Sequence, residues 1–331
     1  MTTVHQASAP VRLDFAGGWS DVAPFTTEER GVVVNGAIEL RAHAVVRPGG
    51  TGYRLVSEDL GQTLELTGPG DLAPDGRLDL LKAALRLSAQ GPCSLRTWSD
   101  APAGSGLGSS GALDVALVAA LDLARGRQRS PLELAAEGCR LETVEAGLPG
   151  GKQDQYAAAL GGFHRFRFEG DAVAVEPLRL DPDFAAALGE RTLVCYTGTS
   201  RVSSHTITRV MSAYRRRASE VVGALHAMAE LAERMAEALV AADLAQVGRL
   251  MGENWRQQQR LDRGMRTEPM ARLEEAMRAA GALGGKAAGA GAGGCMFFLA
   301  GGDPGRAAHA AREAGGRLLA FRWAAEGVKA W

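Results

Sequence analysis

The chain has little of what would mark a secreted, membrane-spanning or nucleic-acid-binding protein. Its four cysteines, Cys93, Cys139, Cys195 and Cys295, are spread through 331 residues and form no CxxC pair, so neither a disulfide framework nor a cysteine-built zinc site is indicated. Buried free thiols are the expectation. A formal net charge of -1 provides no field to attract nucleic acid or an anionic membrane, which leaves a small molecule as the expected partner. No uncharged apolar run is long enough to span a bilayer, and the first residues show no basic segment followed by an apolar one. A cytoplasmic protein, monomer or homodimer, is predicted. Low complexity is also missing, because the 43 glycines gather in short loops between periodic segments.

What is present is enough apolar sequence for a large core. With 331 residues and 46% hydrophobic content, the chain exceeds the usual size of a single core, and two domains follow. The pattern is strand-like over 31–46, again over 93–98, over 162–180 and over 192–196. Between them, Leu113, Leu117, Ala120, Leu121 and Ala124 recur at helical spacing, as do Leu134, Cys139 and Leu141. From Ile207 to Leu239 a Met and Leu stripe predicts one long amphipathic helix whose apolar face is core. Helices over 244–261, 269–280 and 306–314 and strands over 295–300 and 318–323 complete an α+β second half, with the division expected between 188 and 189.

Three segments carry chemistry. The first, APVRLDFAGGWSD at 9–21, is a strand bearing Arg12 that ends in two glycines and delivers Trp19, Ser20 and Asp21. Paired glycines let backbone approach a ligand, a cation on the strand can stabilise a transferred phosphoryl group, and a carboxylate past the turn can accept hydroxyl hydrogen bonds. Alone, it reads more readily as a turn with a surface ion pair, because strand-Gly-Gly-turn sequences are common.

The second, DAPAGSGLGSSGALDVAL at 100–117, alternates Gly104, Gly106 and Gly108 through a loop and places Ser109 and Ser110 at the start of a helix. Backbone N–H groups at such a start bind anions, and a serine there can join the Mg²⁺ shell of a nucleotide. An ordinary capped helix would not need three alternating glycines. Gly106, Gly108 and Gly111 spell GxGxxG, but the helix is followed by the basic loop RGRQRSP instead of a second strand with an acidic end, so a dinucleotide fold is excluded. Gly151-Lys152 and Gly285-Lys286 are not followed by Ser or Thr, which excludes a Walker loop.

The third, CRLETVEAGLPGGKQDQYAAALGGF at 139–163, carries Glu142 and Glu145, then Lys152, Asp154 and Gln155. Carboxylates beside a phosphate loop imply Mg²⁺, with one on the metal and another near the acceptor hydroxyl. A further Gly and Ala stretch at 284–302, containing Gly291, feeds an apolar strand and by itself signals close backbone packing.

Together these segments resemble the ordered motifs of the GHMP kinases, the superfamily of galactokinase, homoserine kinase and mevalonate kinase, over the whole chain. PAGSGLGSSGAL resembles the family's phosphate loop, and GGKAAGAGAGG its third motif. FAGGWSD, GGKQDQYAAALGGF and YTGTSRVSS are similar to the branch of heptose 7-phosphate 1-kinases and L-fucokinases, with Trp19-Ser20 closer to the latter and KQDQYAAALGGF to the former. The resemblance implies an α+β, two-domain GHMP kinase fold, with a ribosomal-S5-like N-terminal domain and a ferredoxin-like C-terminal one. It implies ATP and Mg²⁺ as cofactors and phosphorylation of an anomeric hydroxyl on a sugar or sugar phosphate.

Residue by residue, it assigns Asp154 and Arg12 to catalysis, and Ser110 with Glu142, twelve residues before Asp154, to the metal. Gly104, Gly106, Leu107, Gly108, Ser109, Ser110 and Gly111 would hold the nucleotide phosphates. Asp21, with Gly18, Trp19, Ser20, Lys152, Gln155, Arg201 and Gly291, would bind the acceptor. A phosphorylated heptose would also need cations, for which Arg201, Lys152 and Arg41 are candidates. The rivals are another sugar acceptor of the same family, such as galactose or a uronic acid, and a non-catalytic metabolite-binding homologue.

Overall fold

The computed structural model describes residues 3–198 and 203–331. Its first sheet is built from β1 (His5–Ala16), β2 (Gly31–Pro48), β3 (Tyr53–Ser57), β4 (Gln62–Leu66), β5 (Cys93–Ser99), β6 (Phe163–Glu169) and β7 (Ala172–Pro177). Its second holds β8 (Thr192–Tyr196), β9 (Ala282–Ala287), β10 (Cys295–Ala300) and β11 (Arg317–Leu319), while the short β12 (Lys329–Ala330) returns to the first. Around them lie α1 (Phe25–Glu28), α2 (Asp79–Ser88), α3 (Ser109–Ala124), α4 (Pro131–Arg140), α5 (Gln153–Leu160), α6 (Pro182–Arg191), α7 (Ser203–Arg215), α8 (Ser219–Val240), α9 (Leu244–Gln259), α10 (Glu268–Ala279) and α11 (Pro304–Glu313).

The first sheet runs β12-β1-β2-β5-β3-β4, with β6 and β7 continuing from β2. β2 is long enough to pair β5 with one half and β6 with the other, and its first eight residues are all buried. That burial on both faces explains why its Val and Ala run does not alternate with polar residues. Helix α3 packs on β1 and β2, and its inward residues from Ala112 to Leu121 are almost entirely buried.

The second sheet is antiparallel in the order β11-β8-β10-β9, that is, fourth, first, third and second strand in chain order. Helices α7 to α10 separate its first two strands and α11 its last two, the split β-α-β-β-α-β arrangement expected for the C-terminal half. The halves are not cleanly parted along the chain. Helix α8 packs across β1 and β2 of the first sheet, and the expected division at 188/189 falls within α6.

Two expectations are corrected. The single helix foreseen across 207–239 is two, α7 and α8. Arg217 takes a left-handed conformation (φ 55°), and the backbone bonds Arg217 N–H to Tyr214 O and Ala218 N–H to Ala213 O close the first helix with no glycine or proline to announce the break. The last strand stops at Leu319 instead of 323, because the chain then leaves the second sheet: Trp323 bridges Ile38 on β2 and donates its indole N–H to Ala185 O. The segments forming α2, β3, β4 and β12 carried no expectation. No described helix is long and apolar enough to cross a membrane.

Candidate active site

A cleft of about 360 Å³ opens where the end of β1, the start of α3, the loop before α5 and the Gly loop after β9 converge. One wall is the N-terminus of α3. Gly108 takes the cap position with φ 83° and offers no side chain, so the first N–H groups of the helix stay uncapped beside the cleft-lining Ser109 and Ser110. Ser109 Oγ is buried with no partner among the described residues. An uncapped helix start with an unsatisfied hydroxyl suits phosphate oxygens.

Arg12 ties the site together. It projects from β1, nearly fully buried, and its Nη1 donates to Gly106 O and Ala288 O, each at 2.8 Å. Its Nε and Nη2 lie 2.8 and 2.7 Å from Asp154 Oδ1, so both of these donors fall on one carboxylate oxygen and Oδ2 is left free of them. Asp154, in the first turn of α5, is thereby held at the mouth of α3. The approach is close: a Cβ on Gly108 would sit 3.1 Å from Asp154 Cγ, and one on Gly111 only 2.5 Å from Asp154 Cβ. Larger residues at 108 and 111 would push the carboxylate away.

The third group stands on a single π turn, Leu141–Glu145, that continues α4. Such turns insert a residue into the helical register, and here Glu142 faces the cleft. Its Oε1 accepts from Ser110 Oγ at 3.0 Å and its Oε2 from Gln155 Nε2 at 2.8 Å, and Gln155 Nε2 also donates to Asp114 Oδ2 at 3.0 Å. Burial, then the neighbouring charge of Asp154, raise the Glu142 carboxyl to about 7 against hydrogen bonds that lower it. Asp114, wholly buried, is raised well above the carboxylate range by burial and by Glu142. A carboxyl so placed binds a proton when nothing else is there and a cation when one arrives.

On the opposite wall, Asp21 is buried and accepts the N–H groups of Gln153 (3.0 Å) and Trp19 (3.2 Å). Burial raises its carboxyl to about 6 despite those bonds. Trp19 has φ 85°, rare for a bulky residue, and the turn it makes brings it against the cleft.

Of the residues expected at the site, Arg12, Gly18, Trp19, Asp21, Gly104, Gly106, Gly108, Ser109, Ser110, Glu142 and Asp154 line the cleft. The others do not. Leu107 is buried, and its carbonyl accepts Arg12 N–H, which fastens the Gly-rich loop before α3 to β1. Gly111 lies beneath Asp154. The Ser20 hydroxyl, fully buried, is 2.7 Å from Gly17 O and 3.0 Å from Val32 O, so it pins the turn to β2 instead of facing a ligand. Gln155 sits behind Glu142, supporting it. Lys152 turns out to Gly170 O (2.8 Å) and Asp171 (3.6 Å). Gly291 faces Met265 and Gln258. Arg41 bonds Ser8, Glu39 and Gly327 O, away from the cleft. Arg201 lies outside the described residues.

Sequence reasoning missed Asp14, Gln153, Asn254, Gln258 and Lys286. Asp14 lines the cleft two strand residues from Arg12, hence on the same face of β1, a spacing that could have flagged it. Its Oδ2 and main-chain O accept from Lys286 Nζ at 2.7 and 2.6 Å, in an ion pair buried between the first sheet and β9. On α9, Asn254 Oδ1 accepts Gly17 N–H at 3.0 Å and Gln258 Nε2 donates to Gly289 O at 2.8 Å, so one helix face secures two of the Gly-rich turns.

Known proteins resemble this chain over its whole length. The model of the GHMP kinases N terminal domain matches residues 78–162 and that of the GHMP kinases C terminal domain 235–317. The D-glycero-alpha-D-manno-heptose 7-phosphate kinase of Campylobacter jejuni is 31% identical, over 100% of this chain and 99% of its own length. The bifunctional fucokinase/GDP-fucose pyrophosphorylase of Arabidopsis thaliana is 30% identical over 88% of this chain, which spans only 29% of that protein. Among solved structures, a D-glycero-D-manno-heptose 1-phosphate kinase from Bacteroides thetaiotaomicron superposes with a TM-score of 0.79 at 26% identity, covering 99% of this chain and 98% of that one. With its ordered Gly-rich loops, two-sheet fold and full-length relatives, this chain belongs to the GHMP kinase family, as an ATP-dependent sugar kinase that transfers phosphate to an alcohol group.

Proposed function

We propose that this kinase phosphorylates the anomeric hydroxyl of D-glycero-D-manno-heptose 7-phosphate, giving the 1-phosphate for nucleotide-sugar synthesis. The observation that carries the chemistry is Asp154 held by Arg12 at the uncapped start of α3, which sets an acceptor-facing carboxylate beside a phosphate-binding helix end. Support for the acceptor is the full-length likeness to the Campylobacter jejuni heptose 7-phosphate kinase.

In this reading the N–H groups at the start of α3, with the Ser109 hydroxyl, hold the phosphates of ATP. Asp154 Oδ2 accepts the hydrogen of the anomeric hydroxyl and aims its oxygen at the γ-phosphorus, while Arg12 holds the carboxylate in place through Oδ1 and offsets charge that builds up during transfer. The Ser110 hydroxyl and Glu142 carboxylate, 3.0 Å apart on the cleft wall, fit a Mg²⁺ site. When bound, Mg²⁺ neutralises charge on the β- and γ-phosphates. Trp19 and Asp21 bind the sugar from the opposite wall. Four buried free cysteines and an ATP donor fit the cytoplasm.

A second acceptor, L-fucose, is favoured by one observation. Among the described residues Arg12 is the cleft's one cation, against Asp14, Asp21, Glu142 and Asp154, and an uncharged sugar asks for no other. ADP release with Mg·ATP across heptose 7-phosphate, L-fucose, galactose, mannose and a no-sugar control, with the product's phosphate located by NMR, separates the two. Turnover of the heptose phosphate at the anomeric oxygen supports the proposal. Turnover of fucose alone replaces its acceptor, and ATP binding without turnover of any sugar removes it in favour of a non-catalytic homologue.

A further inference from the structure

Three polar atoms on the acceptor wall are buried and meet no partner among the described residues: Asp14 Oδ1, Gln153 Oε1 and Trp19 Nε1. Their residues all line the cleft, and each is more than nine-tenths buried. Unsatisfied buried polar groups are costly, and three in one wall of a cleft point to a ligand that completes them. The wall is packed around Gly18: a Cβ there would stand 2.2 Å from Asp14 Oδ2 and 2.9 Å from Gln153 Nε2, so only glycine lets both side chains close in on this stretch of the cleft.

We propose that Asp14, Gln153 and Trp19 form a hydroxyl-reading wall of the acceptor subsite, with Lys286 as the positioning residue that fixes Asp14. The inference rests on the sugar-kinase reading above and goes beyond it by naming what selects the sugar. Lys286 Nζ bonds both Asp14 Oδ2 and the main-chain O of the same residue, which leaves the carboxylate one rotamer and one free oxygen. Asp14 Oδ1 and Gln153 Oε1 each accept from a sugar hydroxyl, and Trp19 Nε1 donates to a sugar oxygen. Two acceptors and one donor in fixed places suit a polyhydroxylated ligand and reject an analogue that lacks one of the hydroxyls, since the wall atom would then be desolvated for nothing.

The test uses the full chain and whichever of heptose 7-phosphate and L-fucose the wild type turns over. Asp14→Leu with Lys286→Met removes both charges together, because deleting one would strand the other in the interior. Gln153→Met is the second variant and leaves the ion pair intact. Each is measured for the KM of sugar and of ATP separately, with wild type and variant also compared on the monodeoxy analogues of that sugar. The expectation is a rise in sugar KM of about tenfold or more with the ATP KM within about twofold, and one monodeoxy analogue on which the double variant and the wild type have equal KM. An unchanged sugar KM in the Gln153 variant, parallel rises in both KM values, or equal sensitivity to every analogue would overturn the inference while leaving the kinase reading intact. A wild type inert toward both sugars overturns that reading and this inference with it.

Discussion

Replacing Glu142 by Gln should make the metal-free protein more stable and the enzyme worse. Burial lifts this carboxyl from 4.5 to about 7, so between those values the folded chain binds a proton more tightly than the unfolded one. Stability is therefore lost as pH rises through that window and stays lost above it. One pKa unit corresponds to about 1.36 kcal/mol, which bounds the effect at roughly 3 kcal/mol. Glu142 keeps part of its surface in water, so screening reduces the expected gain for Gln to about 1–2 kcal/mol at pH 8. The amide preserves the contacts, its oxygen facing Gln155 and its NH₂ donating to a Ser110 hydroxyl that now accepts. Removing the charge also relieves Asp114, which acts in the same direction. The assay is urea unfolding in EDTA at pH 4.5 and pH 8, with the shift in midpoint read at constant slope. A gain at pH 8 that disappears at pH 4.5, together with a higher Mg²⁺ requirement for turnover, is expected. An equal change at both pH values, or destabilisation at pH 8, would refute the reasoning.

Three further outcomes follow from the geometry. Asp154→Asn should keep ATP affinity within a few-fold by titration calorimetry while kcat falls ~10²–10⁴-fold, the range of a lost acid–base group; wild-type kcat in this variant would remove Asp154 from the chemistry. Gly151→Ala would place a Cβ 2.0 Å from Asp21 Oδ2, so the sugar KM should rise about tenfold and the ATP KM hold, unless Asp21 is not at the acceptor. Asn254→Ala leaves Gly17 N–H without its acceptor in a buried turn and should cost about 1–3 kcal/mol in a denaturant midpoint, whereas a neutral result would mean that α9 does not secure the turn.

The class of chemistry was legible in the residues alone, because phosphate binding is a local demand. Alternating glycines followed by serines and a helix can be read from 104–111 without knowing what packs on them, and the same holds for the Arg12 strand and the Asp154 turn. Arg12, Gly104, Gly106, Gly108, Ser109, Ser110 and Asp154 line the cleft, whereas Leu107 and Gly111 lie behind it. Which neighbours of these residues face the cleft depended on how the chain packs. Lys152 and Gln155 flank Asp154 within three positions, yet one turns to Gly170 and the other goes behind Glu142, since direction on a helix is set by what packs on each face. The break between α7 and α8 had no glycine or proline to mark it, and the early end of β11 was dictated by where Trp323 finds a place on β2. Arg12 joins carbonyls of residues 106 and 288, and Asp14 meets Lys286 across 272 positions, pairings that no local pattern encodes because they exist only when two sheets close on one another.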